Sequence, residues 1–224
     1  MAHIEHLRSI FSLEGRRVVD VGAGDGVYSR QLNENGAKVS AVEIDSAKVA
    51  KARSLLPPDI DVLLGSAERL PLEDSSQQLT CFFFSLHHVP MELHDAAFTE
   101  VCRVSQRGAR LHVVEPYPFG SMFDVVRLVE DETIVRTNSH KVLGQLDLDP
   151  RFRLHSKNEY VLTRKYPSFD HFLEKIVQPD PERLEAFGKV AEEMERTFES
   201  ALEEIDGALV LHQPCAAFHF IVDD

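Results

Sequence analysis

The stretch VVDVGAGDG, Val18–Gly26, decides the fold. A short run of β-branched residues leads into three glycines at alternate positions, and an aspartate, Asp20, lies inside the run. This pattern is typical of a buried strand, a tight turn and a helix, because glycine allows positive φ and close approach of a ligand. The helix N-terminus adds unpaired N–H groups and a partial positive charge. We therefore predict a ligand site at the carboxyl end of this strand, where open α/β sheets bind ligands.

Strand-like and helix-like patterns alternate from this stretch to Pro116. The further strand candidates read KVSAVEID, IDVLLG, LTCFFFSL and ARLHVVEP. LTCFFFSL is continuously apolar, as in a strand buried on both faces. Ser46 is predicted to cap the helix that ends before Pro57. The alternation predicts an α/β fold with a parallel sheet that is covered on both faces.

The last third of the chain has a different pattern. It contains helix candidates from Phe119 to Thr137, from SFDHFLEKIV and from PERLEAFGKVAEEMERTFESALEEI, a sixth strand candidate, NEYVLTRKY, and a closing strand, ALVLHQPCAAFHFIV. Ser168 and Asp180 precede two of these helices as caps. We predict one domain, 1–224, with a core at 1–116, a helical cap at 117–207 around the sixth strand, and a C-terminal strand at 208–224.

Charge and composition exclude several partners. The net charge of −13 disfavours phosphate backbones and anionic lipid surfaces, and we expect neither nucleic acid nor membrane as partner. There is no apolar run of the length that spans a bilayer, and the first residues lack the apolar segment of a secretory signal. Three scattered cysteines favour reduced thiols and a cytoplasmic location. A small molecule and another protein remain as the candidate partners.

Two adjacent histidines, His87 and His88, follow the fourth strand at the expected ligand edge. Either could act as a general base, because histidine titrates near neutral pH. The alternative is that they pack or cap the following helix. His94 and Glu92 lie nearby, but their spacing is no recognised ligand set, and we predict no metal site.

Four stretches in order resemble the class I S-adenosylmethionine (SAM)-dependent methyltransferases, in particular the ubiquinone and menaquinone biosynthesis group. VVDVGAGDG resembles the glycine motif of that family, and VSAVEIDSAKVAKAR resembles its second motif. GSAERLPLEDSSQQLTCFFFSLHHV and EVCRVSQRGARLHVVEP are similar to its third and fourth stretches. The resemblance covers Val18 to Pro116. It implies a doubly wound, mostly parallel seven-stranded sheet with a helical cap and a C-terminal antiparallel strand.

The resemblance also implies a role for individual residues. Gly22 and Gly24 would let the methionine part of SAM lie against the backbone, Asp20 would orient its amino group, and Glu43 would bind the ribose hydroxyls. Ser66 and Ala67 would meet the adenine, and Ser85 would offer its backbone carbonyl near the ammonium group. The cofactor-binding set is completed by Ala23, Gly26, Ile44 and Glu68. The family usually has aspartate where Ser66 stands, and Glu68 could compensate.

The resemblance implies methyl transfer to a small molecule at O, N or C, with S-adenosylhomocysteine as product and His88 or His87 as catalytic candidates. The chain would act as a monomer or a homodimer. Two other functions stay open. One is a non-catalytic SAM-binding module. The other is a nicotinamide-dependent oxidoreductase, which is disfavoured because Val27 stands where the dinucleotide fingerprint has its third glycine.

Overall fold

The computed structural model describes residues 3–223. The helices are α1 (His3–Ile10), α2 (Val27–Glu34), α3 (Ser46–Leu55), α4 (His94–Val104), α5 (Ser121–Val126), α6 (Thr133–Leu143), α7 (Phe169–Phe172) and α8 (Pro181–Ala201). The strands are β1 (Arg17–Val21), β2 (Lys38–Glu43), β3 (Asp61–Leu64), β4 (Gln77–Phe83), β5 (Ser105–Pro116), β6 (Phe152–Lys165), β7 (Glu203–Ile205) and β8 (Ala208–Val222). Among these residues, no helix combines the length and apolar character that a membrane crossing requires.

The strands form a sheet in the order β3-β2-β1-β4-β5-β8-β6, and β7 pairs with β8. Strand β1 is parallel to both β2 and β4, and the pairs β2–β3 and β4–β5 are also parallel. The β7–β8 pair is antiparallel. The predicted mostly parallel α/β sheet with an antiparallel C-terminal strand is confirmed, and β7 adds an eighth strand. The strand order reverses between β1 and β4, which is the switch point where such sheets bind ligands.

The chain divides into two compact units. The first contains Met1–Glu115, Asn138–Asn158 and Ala216–Asp224, and the second contains Pro116–Thr137 and Glu159–Cys215. The predicted single-domain organisation with a helical cap stays a prediction.

The first unit has its core around β1 and β4. Val18, Val19 and Leu79 are fully buried, and Phe82 is buried among them. The continuous apolar run of β4 is therefore buried on both faces, as its sequence predicted. The three cysteines are free thiols, as expected.

The second unit has its own apolar core, to which α8 contributes Met194 and Phe198. Phe198 packs its ring against Phe172 at a centroid distance of 5.2 Å and against Phe169 at 5.3 Å. The unit therefore buries a set of apolar side chains that is separate from the core of the first unit.

Two of the three predicted helix caps are confirmed. Ser168 caps α7 and Asp180 caps α8, as predicted. The cap of α3 is Asp45, whose carboxylate accepts the N–H groups of Ala47 and Lys48, so the prediction of Ser46 is wrong. Aspartate is as good an N-cap as serine, and Asp45 lies in extended backbone outside the helix, where Glu43 accepts its N–H.

Candidate functional site

The glycine turn connects β1 to α2 and is fixed to the end of β2. The N–H groups of Gly22 and Ala23 both donate to the carbonyl oxygen of Val42, at 2.8 and 3.0 Å. Gly22, Gly24 and Gly26 have φ values of +73°, +55° and +81°. Glycine enters this left-handed region at little cost, so the backbone conformation explains why glycine is used.

The three glycines differ in what surrounds them. A Cβ on Gly22 would lie 2.6 Å from the Cβ of Ser85, and one on Gly26 would collide with the side chain of Leu56. A Cβ on Gly24 would meet no described atom within 4 Å. Packing therefore requires glycine at Gly22, whereas a side chain at Gly26 would displace the flexible side chain of Leu56, and Gly24 presents bare backbone to open space. The role of Gly22 beside a ligand stays a prediction.

Glu43 lies at the end of β2 and is only 6% exposed. One carboxylate oxygen accepts the N–H of Gly24 at 2.8 Å, and the other accepts the N–H of Asp45 at 3.0 Å. Since each carboxylate oxygen carries two lone pairs, both can still accept a further hydrogen bond. Glu43 thus orders the glycine turn and can still accept hydrogen bonds from two more donors.

Asp20 lies within β1 and is 2% exposed. Burial raises the pKa of its carboxyl group to about 6, the nearby charge of Glu43 adds to this, and the hydroxyl of Ser29, which donates at 2.6 Å, opposes it. A buried carboxylate of this kind gains most when a cation is placed beside it. The electrostatics therefore suit a ligand with a positive charge.

The loop after β3 reaches the same edge. The N–H of Gly65 donates to the carbonyl oxygen of Glu43 at 3.0 Å. The next residues make a turn in which the N–H of Arg69 donates to the carbonyl oxygen of Ser66. Ala67 is buried, and Glu68 is half-buried within the turn.

Ile44 follows Glu43 and is 70% exposed. A large apolar side chain in this position gains free energy when a flat aromatic ring covers it.

The segment after β4 contacts the glycine turn through Ser85. Its hydroxyl donates to the carbonyl oxygen of Val21 at 2.6 Å, and its own carbonyl oxygen accepts the N–H of His88. Phe84 has a φ of +56°, which is costly for a residue with a side chain and is maintained here by the N–H···O bond to Val114. This turn sends the chain from β4 into the histidine pair.

The two histidines differ sharply. His87 is buried, and its Nδ1 lies 2.6 Å from Oε2 of Glu115. His88 is exposed, with its ring centroid 4.1 Å from that of His87. Glu115 also accepts the N–H of Leu86 at 3.1 Å and the hydroxyl of Ser139 at 3.1 Å. His87 thus has a buried carboxylate beside its Nδ1, and His88 lies next to it at the surface.

The structure brings together most of the predicted cofactor residues. Direct contacts join the glycine turn to Glu43 and to Ser85, and the loop with Ser66 and Ala67 reaches Glu43 through Gly65. The sequence analysis missed three residues, which are Ser29, Glu115 and Ser139. Glu115 could have been noticed in the sequence, because it is a charged residue at the end of an apolar strand.

Residues 18–108 match the family model described as "Methyltransferase domain". The match covers the glycine motif, the next two stretches and the beginning of the fourth, and it confirms the resemblance predicted from these motifs.

Individual proteins are similar over parts or all of the chain. The demethylmenaquinone methyltransferase of Beutenbergia cavernae is 34% identical over 101 residues, which are 45% of this chain and 41% of that protein. The aligned part thus spans about two fifths of that relative. A SAM-dependent methyltransferase from Aquifex aeolicus has the same fold with a TM-score of 0.58 at 16% identity, covering 98% of this chain and 88% of that one. The [4+2]-cyclase SpnF also has this fold, with a TM-score of 0.63 at 17% identity over 94% and 76% of the two chains.

Proposed function

We propose that this protein transfers a methyl group from SAM to a small-molecule acceptor. The observation that carries the proposal is the bare backbone of Gly24 beside the carboxylate of Glu43 at the switch point of the sheet. The methyltransferase domain match over the same residues supports it. SAM supplies an electrophilic methyl group on a sulfonium, and the protein must orient it and keep water away.

The residues of the glycine turn suit the two ends of this donor. The two remaining lone pairs of Glu43 match the two hydroxyls of a ribose, which are neighbouring donors. Asp20 would hold the ammonium group of the methionine part. Burial disfavours the ionised form of this carboxyl group, and a cation beside it stabilises that form. The carbonyl oxygen of Ser85 has a second lone pair and would accept a hydrogen bond from the same ammonium group.

The adenine would lie between Ile44 and the turn that contains Ser66, Ala67 and Glu68. Ile44 offers an exposed apolar surface for one face of the base. Ser66 and Glu68 offer acceptors for its amino group in place of the aspartate that the family usually has.

A small-molecule acceptor is supported by the acidic charge of −13, which disfavours nucleic acid, and by the relative named demethylmenaquinone methyltransferase. A monomer or homodimer and a cytoplasmic location are part of the same proposal.

The testing experiment is calorimetric titration of the protein with SAM, S-adenosylhomocysteine and NAD. We expect binding of the first two, and Glu43→Ala should weaken SAM binding by about 1–3 kcal/mol, or about 5- to 150-fold, through loss of the ribose bonds. Glu34→Ala is the matched control, since Glu34 is exposed at the end of α2. Thermal unfolding of each variant separates lost binding from lost folding.

The outcomes distinguish the candidate functions. Preferential binding of NAD would contradict the proposal in favour of an oxidoreductase. SAM binding without a mass gain of 14 Da in any offered acceptor would favour a non-catalytic SAM-binding module, and the neighbouring cyclase is a reminder that this fold does not fix the reaction. Equal SAM affinity in wild type and Glu43→Ala would refute the assigned site.

A further inference from the structure

Ser29 and Asp20 form a buried pair across the strand–turn–helix unit. Asp20 lies within β1, and Ser29 lies in the first turn of α2, nine residues further along the chain. Ser29 is fully buried and Asp20 is 2% exposed. The hydroxyl of Ser29 donates to Oδ2 of Asp20 at 2.6 Å, and the N–H of Ser29 acts on the same carboxyl group. One residue of α2 thus supports the ionised form of Asp20 through both its side chain and its backbone.

The surroundings of Asp20 on the sheet disfavour its charge. Strand β1 lies between β2 and β4. Burial is the largest effect that raises the pKa of Asp20, and the negative charge of Glu43 at the end of β2 adds to it. Cys81 of β4 pairs with Asp20 in the sheet, and its thiol stays protonated because burial, together with the charge of Asp20, raises its pKa well above the usual value. Ser29 therefore opposes the effects of burial and of Glu43.

A positively charged ligand group would change this balance. An ammonium group beside Asp20 favours the ionised carboxylate, so a ligand that carries one binds the ionised form better than the protonated form. Because linkage is reciprocal, binding of that ligand shifts the proton equilibrium by the same free energy. The ligand therefore displaces the proton that Asp20 carries at mildly acidic pH.

We propose that Ser29 is a positioning residue that holds the carboxylate of Asp20 for the ammonium group of SAM, and that it thereby sets the pH range over which SAM binds tightly. This inference rests on the proposed function, in which the ammonium group of SAM lies beside Asp20. The hydroxyl of Ser29 orients one carboxylate oxygen and stabilises the charge that the ammonium group requires. The displaced proton passes from the carboxyl group to solvent.

The affinity for SAM should fall as the solution becomes more acidic. The pKa of Asp20 in the empty protein is raised to about 6, so well above this pH SAM binds without displacing a proton. Below it, a growing fraction of the protein must first lose the proton, and the apparent affinity decreases. Removal of the hydroxyl of Ser29 takes away a hydrogen bond to the ionised form, which raises the pKa of Asp20 further and moves the loss of affinity to higher pH.

The first arm of the test compares SAM with 5′-methylthioadenosine, which has the same adenine, ribose and sulfur but no ammonium group. Calorimetric titration in two buffers of different ionisation enthalpy gives the affinity and the number of protons released. We expect SAM to bind wild type about twofold more weakly at pH 6 than at pH 7.5 and to release about half a proton at pH 6. 5′-Methylthioadenosine should show neither effect. Titration of Glu43 does not confuse the comparison, because both ligands carry the ribose.

The second arm uses variants of Ser29. A shift of about one pH unit is expected for Ser29→Ala, so its SAM affinity should fall about eightfold between pH 7.5 and pH 6. Its affinity for 5′-methylthioadenosine should stay within about twofold of wild type, since that ligand has no group for Asp20 to bind. Ser29→Thr keeps the hydroxyl and should restore the pH dependence of wild type. Ser54→Ala is the matched control, because Ser54 is an exposed serine of α3 whose hydroxyl donates to the carbonyl oxygen of Lys51.

Thermal unfolding shows whether each variant is folded, and Ser29→Cys, which has a similar volume and a weak donor, replaces Ser29→Ala if that variant unfolds. A pH dependence of SAM binding in these variants equal to that of wild type would overturn the proposal. Equal proton release by the two ligands in wild type would also overturn it, because Asp20 would then not receive the ammonium group. Both outcomes leave SAM binding and the methyltransferase assignment intact, whereas failure of SAM to bind wild type would refute the proposed function itself.

Discussion

At the scale of single residues, the three glycines of the turn between β1 and α2 have different structural roles. Gly22 gives room to Ser85, Gly26 gives room to Leu56, and Gly24 faces open space. All three have positive φ, so the backbone conformation alone does not separate them. The distinction depends on Ser85, which follows β4, and Leu56, which follows α3. Both are distant from the glycine turn in the chain, so the sequence pattern could not reveal it.

Substitution of these glycines should separate folding from binding. Gly22→Ala places a methyl group against the Cβ of Ser85, and we expect it to lower the free energy of unfolding by about 2 kcal/mol or more. Gly24→Ala meets no described atom, so only backbone strain of about 1–2 kcal/mol is expected. It should nevertheless weaken SAM binding at least tenfold, because the methyl group occupies the ligand's space.

Gly108→Ala is the control for strain, since Gly108 also has a positive φ and open surroundings but lies in β5. Chemical denaturation and calorimetric titration measure the two quantities. Normal SAM affinity in Gly24→Ala would place the ligand elsewhere.

At the scale of secondary-structure elements, the parallel strands of the first half could be predicted, because buried strands have continuous apolar sequences. Other elements required contacts. Helix α1 was missed because it is short and has histidines on its buried face. The start of α3 was misplaced by one residue because Asp45 and Ser46 are comparable N-caps by residue type, and the structure uses Asp45.

Helix α8 offers a test of which face carries its stability. Phe198 is buried in the core of the second unit, whereas Leu184 on the same helix is 48% exposed. We expect Phe198→Ala to cost about 3–5 kcal/mol of unfolding free energy and Leu184→Ala less than about 1 kcal/mol. Hydrogen exchange should show lost protection in α8 for the first variant only. Equal effects of the two substitutions would contradict the assigned packing.

At the scale of the whole molecule, buried ionisable groups set the response to acid. His112 and His219 are fully buried in the first unit, with their Nδ1 atoms 3.3 Å apart. Burial lowers the pKa of His112 well below its usual value, and the charges of the neighbouring His219, His6 and His3 add to this. Burial lowers the pKa of His219 to about 3, with Arg110, His155 and His6 acting in the same direction.

These shifts predict acid lability. Well above pH 6.5, both histidines are neutral in the folded and in the unfolded chain. Below that pH, they take up protons in the unfolded chain but stay neutral in the folded chain. Each of the two histidines should lower the free energy of unfolding by up to about 1.4 kcal/mol per pH unit as the pH falls from 6.5 toward 3. Asp20, with its pKa raised to about 6, acts in the opposite sense, because protonation relieves its burial as pH falls. One such group does not offset two histidines.

The measurement is denaturant unfolding of wild type, His112→Leu and the control His155→Gln from pH 5 to 8. Nε2 of His112 has no hydrogen-bond partner among residues 3–223, so an apolar replacement loses only the contact between its Nδ1 and Nδ1 of His219. We expect His112→Leu to flatten the loss of stability below pH 6.5, and His155→Gln, at an exposed position, to keep it. A wild type whose stability is constant from pH 7 to 5 would contradict this account.

The sequence by itself determined the strand–turn–helix unit at Val18–Gly26, the parallel sheet and the methyltransferase resemblance, because each follows from local periodicity and from glycines at fixed spacing. Only the tertiary structure decided which glycine is open, which hydrogen bonds Glu43 makes and which histidine has a carboxylate behind it. Glu115 and His87 are 28 residues apart in the chain and meet because β4 and β5 are neighbours. Pairings of this kind depend on strand order, which periodicity does not encode.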